Sequence, residues 1–378
     1  MAAQSKPVNS DIFPFWKLPT LARSHVTRLM EQEDVIHLSM HSKPFKRLLK
    51  AFKIGGVSIK FSFWGNVPEN DDFSEEWNFI ETYYSSPDDS VKLWCPHPDH
   101  IRIPKNEQVL VHNNRMLVGR EGKEFEVNSF LTFQEKLNTL EQITRHLLEI
   151  FHVEYFDLRY NHTNHEHIFG SFVWDVVDKF RSVSIEPFNA PDRDDISDEE
   201  ERKNFDKLYG LSPEQTRFVF NEVRTDELEF QGYIFNPEEL TGIQLKHRRV
   251  DVWNVDSLHW VIMDHVIDSV SEELSVRIEE TGAVEVVELL KKWQSGEKLL
   301  NLEVLQLSDM IEAEHQKLSE TLGKLEGVKM YSREEAEEFM KEFDIIEVEV
   351  GPFFVQRTTD GKVATFYIDD ETVYFSCD

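Results

Sequence analysis

Two histidine-rich segments are the first candidates for metal chemistry in this sequence. Their zinc-ligating side chains are His162, His165, Glu166 and His167 in NHTNHEH, and Cys95, His97 and His100 in CPHPDH. A structural zinc site uses four ligands, commonly supplied as two separated pairs. Neither segment is followed by a second pair at suitable spacing, and the chain has only two cysteines. We therefore predict no metal site and no cofactor.

Catalytic motifs are also lacking. The patterns GxGxxG, GxSxG and GxxxxGK[ST] do not occur. Asp264 and His265 are adjacent on a predicted helix, where neighbouring side chains diverge by about 100° and cannot form a catalytic dyad. With 71 acidic residues in the chain, pairs of carboxylates arise by chance. The sequence favours a protein that is not an enzyme.

The charge and composition exclude several classes of protein. The net charge is −30, which opposes binding to the nucleic-acid backbone. No apolar run approaches the roughly 20 residues of a spanning helix, and the start, MAAQSKPVNSD, lacks the apolar core of a signal peptide. The two cysteines, Cys95 and Cys377, offer no disulfide framework. We expect a cytoplasmic or nuclear protein that binds neither nucleic acid nor membrane.

Residues 189–206 form an acidic insert that contains DRDDISDEEE. Its like charges predict a solvated loop. Ser197 is followed by acidic residues, so it is a candidate phosphorylation site for an acidophilic kinase. A phosphate would add roughly −1.5 to −2 charge, and any effect is therefore expected to come through basic residues of a partner.

Residues 10–53 carry apolar side chains in three groups with helical spacing. The groups are Leu21, Val26, Leu29 and Met30; Val35, Ile36, Leu38 and Met40; and Phe45, Leu48 and Leu49. This spacing predicts three short helices. About forty residues are at the lower limit for an independent core, so we expect these helices to contact a partner or the rest of the chain. Their many Lys and Arg residues indicate either a solvated face or attraction toward an acidic partner.

The two remaining segments differ in pattern. Residues 54–130 are predicted to be a small β-rich linking segment, because VSIKFSFWG alternates and residues 108–118 resemble a hairpin. Residues 131–378 begin with a long amphipathic helix at Thr132–His152. Six strand-like runs then alternate with helices predicted at about 167–180, 213–223, 257–270 and 284–293. The runs lie at 154–160, 182–187, 228–232, 249–254, 273–279 and 302–308, at intervals close to the 20–29 residues of leucine-rich repeats except at the acidic insert. The sequence predicts an α/β (α+β) fold with an irregular leucine-rich-repeat-like array.

Particular motifs resemble a known family. Leu18 and Pro19, the acidic turn at 31–34, and Ser42 with Lys43 resemble the F-box. The preceding FPFW is similar to the nematode-type F-box variant, and the segment from Trp253 to Leu307 resembles the type 2 F-box-associated region. Pro44 departs from the F-box pattern, although a helix tolerates Pro in its first turn. PFFVQRTTDGKVATFYI resembles the C-terminal hairpin of that region, with Asp360 and Gly361 predicted in a type I′ turn.

The resemblance implies a non-catalytic substrate receptor of a Skp-cullin-F-box ubiquitin ligase. The F-box would bind the Skp adaptor, and through it the cullin-RING ligase, while the C-terminal array would hold an unidentified protein target. The expected apolar anchors of the adaptor interface are Leu18, Pro19, Leu21, Val26, Leu29, Met30, Val35, Ile36 and Leu38. Each of these could instead pack within the chain. The alternative function is an interaction scaffold that never joins a ligase.

Overall fold

One mixed sheet of 16 strands runs through the part of the chain that the computed structural model describes. The described residues are 14–64, 78–84, 90–95, 103, 107–112, 114–128, 133–161, 169–186, 196, 198–253, 261–332, 334–336, 341, 350–369 and 371–377. The order of strands in the sheet is β13-β14-β15-β16-β12-β11-β10-β9-β8-β7-β1-β2-β3-β6-β5-β4. Together with the helices, this sheet confirms the predicted mixed α/β class.

The helices and strands of the described residues have the following bounds. The α-helices are α1 Thr20–Arg28, α2 Gln32–His41, α3 Lys43–Phe52, α4 Phe133–Ile150, α5 Val173–Val176, α6 Glu199–Tyr209, α7 Pro213–Arg217, α8 Met263–Ile267, α9 Ala283–Ser295 and α10 Glu312–Leu322. The first eight strands are β1 Ile54–Trp64, β2 Asn78–Tyr83, β3 Val91–Trp94, β4 Glu107–Val111, β5 Asn114–Glu121, β6 Glu124–Val127, β7 Phe151–Asn161 and β8 Phe180–Glu186. The remaining strands are β9 Thr225–Gln231, β10 Arg249–Trp253, β11 Glu273–Thr281, β12 Val304–Met310, β13 Val328–Met330, β14 Val350–Gln356, β15 Val363–Asp369 and β16 Thr372–Cys377.

The centre of the sheet is parallel and follows chain order from β7 to β12. Its strands alternate buried apolar residues with polar residues that keep partial contact with solvent, as in TDELEFQ of β9. The buried set, which includes Leu228, Phe230, Val250 and Val252, shares one core with the apolar sides of α4 and α9. Alternation therefore gives the sheet one face in the core and one polar face.

The three N-terminal helices confirm the helical interpretation of residues 20–52. Ser42 caps α3, because its hydroxyl accepts a hydrogen bond from the Phe45 N–H at 3.3 Å. Pro44 lies in the first turn of α3, where its missing N–H leaves no intrahelical hydrogen bond unmade. The departure from the F-box pattern at Pro44 is therefore compatible with a helix.

The sheet begins at residue 54 and continues across the predicted segment boundary at residue 131. Strand β1, which directly follows α3, pairs in parallel with β7 across nine registered positions. The sequence of either strand alone does not show which distant strand it pairs with. The β-rich segment and the C-terminal array thus share one sheet and one core cluster.

Several local predictions were wrong in extent or type. The helices expected at 167–180 and 257–270 are limited to α5 and α8 among the described residues. The acidic insert was predicted as a loop, but α6 begins at Glu199 and places Glu199, Glu200 and Glu201 in its first turn. The positive end of a helix dipole stabilises carboxylates at that position.

The C-terminal hairpin corrects the predicted turn. Six residues, 357–362, connect β14 to β15 instead of two. Of the pair predicted in a type I′ turn, only Gly361 has a positive φ, at 79°. Asp360 instead accepts hydrogen bonds from the Arg357 guanidinium at 2.9 and 2.7 Å, and this pairing shapes the longer loop.

Candidate functional site

The N-terminal helices expose large apolar side chains. These side chains are Trp16, Leu21, Leu29 and Leu38. Leu21 is 72% exposed and Leu29 is 85% exposed. They lie eight residues apart, a spacing found within the apolar stripe of a helix. Neither side chain belongs to the core of the chain, so both are accessible to a partner.

The nine predicted adaptor-binding residues are divided by the tertiary structure. Leu21, Leu29, Leu38 and Pro19 are exposed, whereas Leu18, Val26 and Met30 are half-buried. Val35 and Ile36 are fully buried and pack in the core with Phe45 and Leu49. Helical spacing identifies an apolar residue but does not state whether its neighbour is this chain or another one. Only the exposed and half-buried members can contact a partner without rearrangement.

A cluster of charged residues fixes α3 to α4. Glu149 forms ion pairs with Lys46 at 2.5 Å and with Lys50 at 2.8 Å, and its Oε1 lies 3.2 Å from His112 Nδ1. Burial acts to raise the pKa of Glu149, but hydrogen bonds from Lys46 and Lys50 outweigh it and lower that pKa to about 2. Beside this cluster is an open depression of about 420 Å³ that Lys50, Lys53 and Arg145 help to line. Lys50 is paired with Glu149, and Lys53 donates to the Leu148 carbonyl. The lysines that line this depression therefore hold α3 against α4.

The buried His146 joins α2 to the connection between β4 and β5. Ser39 Oγ on α2 donates to the Ile36 carbonyl at 2.6 Å, so it accepts from His146 Nε2 at 2.8 Å. His146 Nδ1 in turn accepts from the His112 N–H at 3.1 Å. These roles require a neutral ring with its proton on Nε2. Burial, followed by the nearby charge of Lys46, lowers the pKa of His146 to about 3.

The polar face of the sheet offers a second accessible surface. We define the polar sheet face by its partly or largely exposed residues in β8 to β12: Ser182, Glu227, Glu229, Arg249, Asp251, Glu273, Ser275, Arg277, Gln306 and Ser308. Glu229 and Asp251 lie side by side in register on neighbouring strands. Burial and then the charge of Glu229 raise the pKa of Asp251. Two adjacent carboxylates at this position favour a positively charged ligand group.

A charged network stabilises one side of this face. Arg181 Nε donates to Asp157 Oδ1 at 3.0 Å, and the Tyr83 hydroxyl donates to Asp157 Oδ2 at 2.6 Å. Burial, and next the hydrogen bond to Asp157, raises the pKa of Tyr83 to about 12. The network spans β2, β7 and β8, so it holds the first strands of the parallel array in fixed positions.

His37, His41 and Glu107 are a group that the sequence prediction missed. The two imidazoles lie on α2, and the carboxylate lies at the start of β4. One ligand atom from each lies within 4.8 Å of the others. The His-x-x-x-His spacing on a helix was an available signal, since it places both rings on one face. Glu107 is 66 residues further along the chain and could not be assigned to this group from the sequence.

The other predicted sites divide between described and undescribed residues. Ser197, His97, His100 and the segment from His162 to His167 lie outside the described residues. Cys95 is buried. In α8, His265 Nδ1 accepts from the Ile262 N–H at 3.3 Å.

The chain matches none of the protein-family models, curated proteins or solved structures with which it was compared. None of the helices in the described ranges is long and apolar enough to cross a membrane.

Proposed function

We propose that this chain is a non-catalytic substrate receptor that links a protein target to a Skp-cullin-RING ubiquitin ligase. The exposure of Leu21 and Leu29 carries the proposal. Both residues belong to the helical module, residues 20–52, whose buried side packs in the core of the chain. Fully burying a leucine side chain contributes about 1.5–3 kcal/mol. Two such residues provide anchors for a helical interface.

The local charge supports an acidic adaptor as the occupant. Residues 14–53 contain eight Lys or Arg and three Asp or Glu, within a chain of net charge −30. Glu149 neutralises Lys46 and Lys50, but Arg28, Lys43 and Arg47 remain on exposed positions of the helices. A basic surface beside apolar anchors attracts an acidic partner and increases its rate of association. The F-box-like motifs of this segment supply the further reason to name a Skp adaptor.

The polar sheet face is proposed to hold the target. It is broad, its strands are fixed in register, and it carries the adjacent carboxylates of Glu229 and Asp251. A target with Lys or Arg side chains would satisfy both carboxylates. The receptor then acts by raising the local concentration of the target near the transfer machinery. An interaction scaffold would use the same face without binding the adaptor.

Replacing Leu21 and Leu29 with Ser is expected to weaken adaptor binding about 100-fold while leaving the fold intact. Each substitution removes an exposed apolar anchor, and loss of about 1.4 kcal/mol corresponds to tenfold in affinity. The measurement is titration of the purified chain with the purified adaptor by calorimetry. Circular dichroism of the two proteins reports whether the fold is retained.

The matched control replaces Val284 and Leu300 with Ser, because these apolar residues are 60% and 56% exposed outside the N-terminal helices. The control is expected to bind the adaptor as wild type does. Wild-type affinity in the Leu21→Ser, Leu29→Ser variant would contradict the assigned surface. No binding of the adaptor to the wild-type chain would instead favour the scaffold.

Charge reversal of Glu229 and Asp251 to Lys is expected to reduce target recovery at least tenfold. The bait carries Leu21→Ser and Leu29→Ser, so that captured targets are not passed to the ligase, and quantitative mass spectrometry measures their enrichment. The control reverses Glu312 and Glu320, which are exposed on α10. Equal enrichment with both charge reversals would place target binding elsewhere on the chain.

A further inference from the structure

Three side chains from two distant segments converge at the edge of the helical module. The distance from His37 Nε2 to Glu107 Oε2 is 3.3 Å, and that from His41 Nε2 to the same oxygen is 2.6 Å. With metal bonds of about 2.0–2.1 Å, neighbouring ligand atoms of tetrahedral zinc lie roughly 3.3 Å apart. The distance between His37 Nε2 and Glu107 Oε2 already has this value. Accommodating an ion requires the His41–Glu107 pair to open by less than about 1 Å.

The hydrogen bonds of His41 prepare its Nε2 atom for a metal. His41 Nδ1 lies 2.8 Å from the His37 carbonyl, to which it must donate. In metal sites, a ligating histidine commonly donates its second ring nitrogen to a backbone carbonyl or a carboxylate in this manner. The donation directs the Nε2 lone pair of the neutral ring toward Glu107.

The group has a charged neighbour and access to solvent. Arg120 is the nearby cation, and its Nη2 is paired with Asp34 Oδ1 at 2.9 Å. His41 and Glu107 are both exposed, which gives an ion a route from solvent.

We propose that His37, His41 and Glu107 bind one zinc ion, with water completing the tetrahedron. Two imidazoles and one carboxylate are a known donor set for zinc sites that keep an open position. The ion would lie between the two imidazoles and Glu107. It would also join α2 to β4, and so connect the N-terminal helices to the sheet.

The test titrates zinc sulfate into full-length protein that has been treated with a chelator and returned to pH 7.5. The parent protein carries His162→Ala, His165→Ala and His167→Ala, which removes one of the two histidine-rich segments as a source of bound zinc. We expect one zinc ion per chain, and we expect cobalt to give the intense visible absorption of tetrahedral coordination. Lowering the pH to 5.5 should weaken binding, because protons compete for the imidazole nitrogens.

Two variants of the parent locate the ligands. His41→Ala and Glu107→Gln should each weaken zinc binding by more than the roughly 10–100-fold that follows loss of a supporting residue. Glu107→Gln keeps the shape of the side chain and a hydrogen-bonding oxygen, so it tests the anionic ligand separately from folding. The control is His25→Ala, which removes an exposed histidine of α1 and should leave affinity unchanged.

The hydrogen-exchange rate gives a second measurement. Zinc should slow amide exchange in α2 and β4 of the parent, but not in the Glu107→Gln variant. Zinc affinity within twofold among the parent, His41→Ala and Glu107→Gln would overturn the proposal, as would the absence of zinc binding by the parent.

Discussion

Substitution of Trp293 by Ala is expected to lower the free energy of unfolding by about 3–5 kcal/mol. Trp293 is fully buried in α9, and its ring meets that of Phe375 edge to face with centroids 5.0 Å apart. The Arg357 guanidinium lies 5.1 Å from the Trp293 ring centroid. Removal of the indole thus leaves a cavity and withdraws contacts from β16 and from the loop after β14. Urea unfolding followed by circular dichroism measures the change.

The control for this substitution is Trp16→Ala, since Trp16 is 49% exposed. It should change the free energy of unfolding by no more than about 0.5 kcal/mol. Similar unfolding midpoints for the two variants would show that α9 does not pack against the C-terminal strands as described. The Trp293→Ala variant also bears on the proposed function. Adaptor binding should survive this substitution at temperatures where the variant stays folded.

Acid is expected to destabilise the wild-type chain more than a variant with Gln at position 146. His146 has a pKa of about 3 in the folded protein, and an ordinary value of about 6.5 when unfolded. Between these values the unfolded state binds more protons, so stability falls as the pH falls. Lowering the pH from 7 to 4.5 should cost about 2–3 kcal/mol through this group alone.

Gln is the matched substitution at this position. Its amide can donate to Ser39 Oγ and accept from the His112 N–H, as the neutral imidazole does, but it does not titrate. Lys46, Lys50, Glu149 and His112 face His146 and remain in the variant. Since the pKa of Glu149 is about 2, its own contribution is lost mainly below pH 4.5. Parallel stability curves from pH 7 to 4.5 would contradict a neutral buried His146.

The local pattern of the sequence predicted much of the secondary structure. Alternation identified β1 and β9, and spacings of three and four identified α4 and α9, because these patterns arise from backbone geometry within one element. The prediction of helix boundaries was less accurate for the shortest helices. Only α5 and α8 represent the helices expected at 167–180 and 257–270 in the described structure.

The surfaces were less predictable than the elements. Leu29 and Val35 have similar apolar character and both fit helical spacing, yet one is largely exposed and the other is fully buried. Burial depends on which neighbour covers the side chain. In the same way, His37 and His41 could be placed on one helix face, whereas the approach of Glu107 depends on the packing of α2 against β4.

Local sequence patterns predicted the N-terminal helices and the alternating strands and contained no recognised catalytic motif, because these features depend on neighbouring residues and short spacings. They did not predict that β1 pairs with β7, that Val35 belongs to the core while Leu21 and Leu29 do not, or that His37, His41 and Glu107 meet. Those outcomes depend on contacts between segments far apart in the chain. Such contacts are set by the packing of the whole core, which no local pattern records.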